Sequence, residues 1–215
     1  MRTLILIFVF LLGMQCVKAQ KSVKDLLAAI PESVVPYLTA EQAAELVKFT
    51  DESKTASVKN ALNGTTSVDT LAADFASLKL NGVTDMQVRL LPLGDTAQVV
   101  CVIKTVNKPV PESTVKFYTT DWKQLDSHFN LPDGGDACLM MSMLTHRPDT
   151  MPETRFDELC KYLDPIIVSA DFSNIGQGLT YSLSLPFVQK GDMDEIKSII
   201  RQKSFKWQAG LFKEC

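Results

Sequence analysis

Five polar residues in one stretch, Asp121, Asp126, His128, Asp133 and Asp136, form the densest set in the chain that could carry acid–base chemistry. Paired carboxylates with an imidazole beside them are the equipment of a hydrolytic or metal-assisted site. The spacing argues otherwise. It matches no D-x-D-x-D-G calcium loop, and aspartate next to Gly134 and Gly135 is a turn former. The expectation is a solvated connector, so replacing Asp126 and His128 by alanine should leave any activity intact.

A second set is soft: Met140, Met141 and Met143 with Cys138 and His146, thioether, thiol and imidazole groups of the kind that hold copper(I). Adjacent methionines point in different directions on a helix or a strand, which opposes convergence on one ion. A buried segment Leu139 to Leu144 with flexible methionines as gap fillers is the simpler reading. Tyr118, Trp122 and Tyr181 offer flat faces for a sugar or peptide, against which stands ordinary packing over the open end of a sheet. Neither histidine belongs to an HExxH motif, and no GxSxG, Walker loop, GxGxxG or CxxC occurs. Gly176-Gln177-Gly178 sits in a predicted hairpin and lacks a third glycine. No catalytic residue, cofactor or metal is assigned.

The elements that must position these residues follow from two periods. Ser22 with Asp25, and Thr39 with Gln42, read as capping boxes before the apolar stripes Val23, Leu26, Leu27, Ile30 and Ala43, Ala44, Leu46, Val47. Asn63-Gly64 marks a turn, after which the period becomes two. Strands are expected over 75–80, 85–90, 97–106 and 113–119. Of these, 97–106 is apolar on both faces and therefore central. In the last, Val115 and Phe117 point inward and Thr114, Lys116 and Tyr118 outward. Pro109-Val110-Pro111 is a stiff connector. Leu131-Pro132-Asp133-Gly134-Gly135-Asp136 is the strongest internal breaker. Beyond it, Thr150 and Glu153 should cap a helix bearing Phe156, Leu159, Cys160 and Leu163. Strands follow at 166–172 and 179–187, then a helix opened by Asp192 and Glu195, and a closing strand with Phe205, Trp207 and Ala209 alternating. The class is α+β, a predominantly antiparallel sheet with N-terminal helices and two further helices packed on it. One domain over 20–215 is expected, with a candidate subdomain boundary at 131–136.

Residues 1–19 read as a signal peptide. Arg2 supplies the basic start, Leu4 to Leu12 is an apolar run too short to span a bilayer, and Val17-Lys18-Ala19 places small residues at the cleavage positions. Cleavage before Gln20 fits better than lipidation at Cys16, because Gly13-Met14-Gln15 is a poor lipoprotein signal. The 215-residue chain has a formal net charge of −3, and cleavage removes Arg2 and Lys18 but no acid. With no basic cluster, nucleic acid is excluded as a partner, and no transmembrane segment is expected in the mature chain. Cys101, inside Val99-Val100-Cys101-Val102-Ile103, reads as a small buried hydrophobe. Cys138, Cys160 and Cys215 are freer to pair, with a bond from Cys160 to one of the others expected.

Several runs are distinctive: Leu90-Leu91-Pro92, Val99 to Thr105, Glu112 to Trp122, Ile30 to Leu38, and Leu163-Asp164-Pro165. Together they make the mature chain resemble a secreted family from Bacteroidetes catalogued only as a domain of unknown function. The resemblance implies a Gram-negative envelope location and brings no activity, cofactor or catalytic residue with it. The expected function is that of a non-enzymatic periplasmic or secreted protein binding another cell-envelope protein, peptide or glycan through a sheet face or edge. The alternative is an envelope hydrolase acting on peptide or glycan, with its site among Asp121, Trp122, Asp126, His128 and Asp136.

Overall fold

A computed structural model describes residues 20–51, 56–172, 177–185 and 192–215. The proposed signal peptide lies outside them, as do Gly176 and Phe187. Both expected capping boxes form. The Ser22 hydroxyl accepts from the Asp25 amide while the Asp25 carboxylate accepts from the Ser22 amide, opening α1 (Val23–Ala28). The hydrogen bonds within the box hold the Asp25 carboxyl below its ordinary range. Thr39 and Gln42 exchange the same pair of bonds ahead of α2 (Ala40–Asp51).

Seven strands then run as a meander, each antiparallel to the next: β1 (Ser57–Lys59), β2 (Thr65–Leu71), β3 (Phe75–Lys79), β4 (Thr84–Leu93), β5 (Ala97–Val106), β6 (Glu112–Thr119) and β7 (Gln124–Leu125). The β1–β2 hairpin, not expected from the sequence, is organised by the buried Asn60. Its amide donates to the Thr66 hydroxyl and the Leu80 carbonyl, and its carbonyl oxygen accepts from the Leu62 and Gly64 amides. A polar side chain can be buried there because each of its polar atoms is satisfied.

After β7 the chain forms α3 (Ala137–Leu144), α4 (Glu153–Lys161), β8 (Ile167–Asp171), β9 (Gly178–Ser184), α5 (Met193–Ile199), β10 (Lys203–Gln208) and β11 (Leu211–Glu214). The last four strands make a second antiparallel sheet in the order β11-β10-β9-β8. The stretch 139–144, open to either element, is helical. Thr150 does not cap α4, which is preceded by Pro152, and Asp192 does not cap α5. The Asp192 carboxylate binds Arg155 instead, at 2.9 Å, while Glu195 and Glu158 take the rest of the same guanidinium at 2.8 and 3.2 Å.

Central β5 shows why both its faces are apolar. Val100 and Val102 join Met86, Val88, Leu90 and Tyr118 beneath Leu26, Leu27, Leu38 and Leu46 of the helical layer. Val99, Cys101 and Ile103 join Leu91 and Phe117 against Val168, Leu179, Tyr181, Phe205, Trp207 and Phe212 of the second sheet. The large sheet is thus the middle of three layers, which corrects the inward–outward reading of β6. Tyr118 is buried too, in the opposite core from Phe117. A satellite cluster of Leu159, Leu163, Ile196 and Ile199 holds α4 to α5.

Candidate functional site

The site is built at the edge where the large sheet ends. Strand β7 covers only part of β6, with Leu125 opposite Phe117 and Gln124 opposite Tyr118. The Thr119 amide donates to the Lys123 carbonyl at 2.9 Å, so the odd-numbered residues of β6 direct their backbone groups toward β7 and the even-numbered ones toward β5. Two residues on, the chain has left the sheet. The outward N–H and C=O groups of Val115 and Ser113 therefore have no backbone partner among the described residues.

These groups face an open cleft of about 550 Å³. One wall is β6 from Glu112 to Phe117, one end is closed by Gln124 to His128, and the floor is Leu131 to Gly135 with Tyr181. The connector is pinned from below. Phe129 inserts between Phe117 and Trp207, with ring centroids 5.0 and 5.6 Å away, and the Asn130 amide donates to the Phe212 carbonyl. Phe129 and Asn130 both take positive φ, 50° and 65°, to make this descent. That conformation is uncommon for a phenylalanine and persists because the aromatic core holds the ring. The anchored turn carries His128 onto the rim, the Leu131 amide donating back to the His128 carbonyl at 2.9 Å.

The expected site residues separate into two groups. Asp126, His128 and Asp133 all line the cleft. The Asp133 carboxylate is occupied by the Gly135 amide at 3.0 Å, in the turn that its position beside glycine implied. Among the described residues Asp126 and His128 form no hydrogen bond or ion pair with each other or with Asp133, so no acid–base relay is assembled. Asp121, Trp122 and Asp136 are elsewhere. Asp121 pairs with Lys21 at 2.6 Å, and Asp136 caps α3 by accepting from the Leu139 amide.

Trp122 is a packing residue and not a binding platform. It is 8 % exposed, its indole N–H donates to the Leu26 carbonyl at 3.0 Å, and its ring meets Tyr118 edge-on at 5.6 Å. Tyr181 contributes to the cleft from a buried position, its hydroxyl donating to the Pro132 carbonyl. Burial raises the Tyr181 phenol above its ordinary range and keeps the proton on oxygen.

The soft-ligand set does not converge. Met140 is fully buried between the sheets, Met141 packs on the α4–α5 cluster, and Cys138 and His146 are exposed. All four described cysteines are free, with none of the expected pairing, and burial pushes the Cys101 thiol far above its ordinary range. Among the described residues no group of three histidine, cysteine, aspartate or glutamate side chains is placed to hold a metal ion. A second groove of about 540 Å³, between the sheets, is lined by Asp85, Gln87, Asn107, Asp171 and neighbouring hydroxyls. Its polar groups are engaged with each other: Asn107 donates to Asp85 and Gln87 to Asp171.

The free run of β6 was not singled out in the sequence. Its one signal is that Asp126-Ser127-His128 is too polar to continue a return strand, leaving β6 longer than anything that could cover it.

A family model matches residues 14–212, and the chain belongs to that family, described as a protein of unknown function (DUF3256). Among solved structures, a domain of an uncharacterized protein from Porphyromonas gingivalis W83 is similar. It shares 23 % sequence identity, with a TM-score of 0.73 over 90 % of this chain and 97 % of that one, which is a likeness of fold. A search of curated proteins returns no match.

Proposed function

Taking membership of that family as the premise, we propose that this protein is a non-enzymatic binding protein of the bacterial cell envelope, periplasmic or secreted after cleavage before Gln20. It binds an extended polypeptide segment along the free edge of β6. One observation carries the reading: among the described residues the outward backbone groups of Ser113 and Val115 have no backbone partner, and they face a cleft whose floor includes Leu131, Pro132 and Tyr181. A strand edge exposed in this way is a template for pairing with another chain. Main-chain hydrogen bonds supply affinity and pockets for alternate side chains supply specificity. Folded proteins usually blunt such an edge; here a cleft is built around it.

The test is hydrogen exchange on the mature protein with peptides selected against it from a random library. The expected result is slowed exchange at the Ser113 and Val115 amides. Selected peptides that protect another surface, or a library that yields none, would reject the edge.

The alternative, an envelope hydrolase acting on peptide or glycan, is favoured by the position of Asp126, His128 and Asp133 on the same rim. It requires selected peptides to be cleaved. In the binding reading the Asp126→Ala/His128→Ala variant still binds them, and the unmodified protein leaves them intact.

A further inference from the structure

The edge also specifies what lies along it. Its free run reads Glu112-Ser113-Thr114-Val115-Lys116. Because Gln124 opposes Tyr118 and Leu125 opposes Phe117, a strand continuing the line of β7 is antiparallel to β6, meeting Lys116 first and Glu112 last. Directly opposed residues of an antiparallel pair share a face and touch. Incoming residues opposite Val115 and Ser113 take the free hydrogen bonds and turn their side chains to the cleft floor, where Leu131, Pro132 and Tyr181 lie. Incoming residues opposite Lys116, Thr114 and Glu112 lie on the other face.

Charge then fixes the two ends. Glu112, Asp126 and Asp133 surround the cleft against a single lysine, Lys116. Glu112 is exposed and makes no ion pair among the described residues. Resting on the edge reading above, we infer that the occupant is a cationic strand segment of another polypeptide. It carries apolar residues at the two positions opposite Val115 and Ser113 and lysine or arginine opposite Glu112.

Two synthetic peptides test this, acetyl-Gly-Thr-Val-Thr-Val-Lys-Gly-amide and its counterpart with glutamate in place of lysine, titrated into the full mature chain and followed by amide chemical shifts. The lysine peptide should bind about three- to tenfold more tightly, the range expected when an attractive cross-strand pair is exchanged for a like-charged one. It should shift the Ser113 and Val115 amides, and the preference should vanish in Glu112→Lys. Gly134→Leu fills the floor where an added Cβ meets only the Tyr181 ring, at 4.0 Å. It should weaken both peptides while leaving the spectrum folded. Equal binding of the two peptides, or a preference that survives in Glu112→Lys, overturns the inference. If neither binds while library-selected peptides still protect the β6 amides, the chemistry assigned here fails and the edge reading stands. Protection of those amides without any peptide, rising with protein concentration, would assign the edge to a second copy of this chain and overturn the inference.

Discussion

At the scale of single residues, the side chains with the most chemistry in their formulae mostly hold structure. Trp122 has an aromatic face suited to stacking on a ligand, yet its indole secures α1 to the start of β7 through Leu26. Trp122→Phe should cost about 1 kcal/mol for the lost hydrogen bond and Trp122→Ala about 3–5 kcal/mol for the lost packing as well. Both are measurable from urea midpoints, and both should leave peptide affinity for the β6 edge unchanged in the folded fraction. A large loss of affinity in a folded Trp122→Phe variant would place the indole in the binding machinery after all. Asp121 and Asp136 were equally deceptive in the sequence. A carboxylate that caps a helix and one that could move a proton are the same residue type, and only the neighbouring amide or ammonium group separates the two roles. Asp133 beside Gly134 was legible because the turn that it makes is local.

Among the elements, legibility tracked how far each depends on its own residues. The helices with capping boxes and the long strands β4 to β6 were apparent from period and turn residues, since these are properties of contiguous sequence. β1 and β11, three and four residues long, were not, because an alternation that short carries no statistical weight. The β10–β11 hairpin was hidden for another reason. Its two-residue turn is Ala209-Gly210, with φ of 51° and 83°, a left-handed pair that Asn-Gly would have announced. An alanine at positive φ costs about 1–2 kcal/mol, which asparagine largely avoids. Ala209→Asn should therefore raise stability by about 1 kcal/mol, seen as a higher urea midpoint at unchanged slope. A fall would mean that the side chain, not the backbone, governs this turn. Gly210 has no such freedom, because an added Cβ would come within 3.0 Å of Leu93 on the other sheet.

For the whole molecule, the arrangement of layers was the part least available from sequence. That 97–106 is apolar on both faces predicts cover on both sides, but what supplies the cover depends on pairings between residues far apart, such as Phe205 with Leu179, and no local period encodes them. The second sheet is bound to the first by Gln87 with Phe172 and Asp171, Ser113 with Ala170, and Trp207 with Pro92. It also covers Leu91, Val99, Ile103 and Phe117. Neither face of β5 can lose its cover cheaply, so unfolding should be one cooperative event despite the breaker at 131–136. In each single-tryptophan variant, Trp207→Phe reporting the helical core and Trp122→Phe the inter-sheet core, fluorescence and far-UV circular dichroism transitions should coincide. Two separated transitions would instead divide the molecule at that breaker. The brevity of β7 has a consequence of another kind. Two paired residues are all that separate an open edge from a closed one, so a small insertion after Leu125 that kept the strand in register past Val115 would let the chain serve as its own ligand. Loop length at that one point would then act as an inherited dial on occupancy, adjustable without touching the core, the floor of the cleft or any residue that contacts a partner.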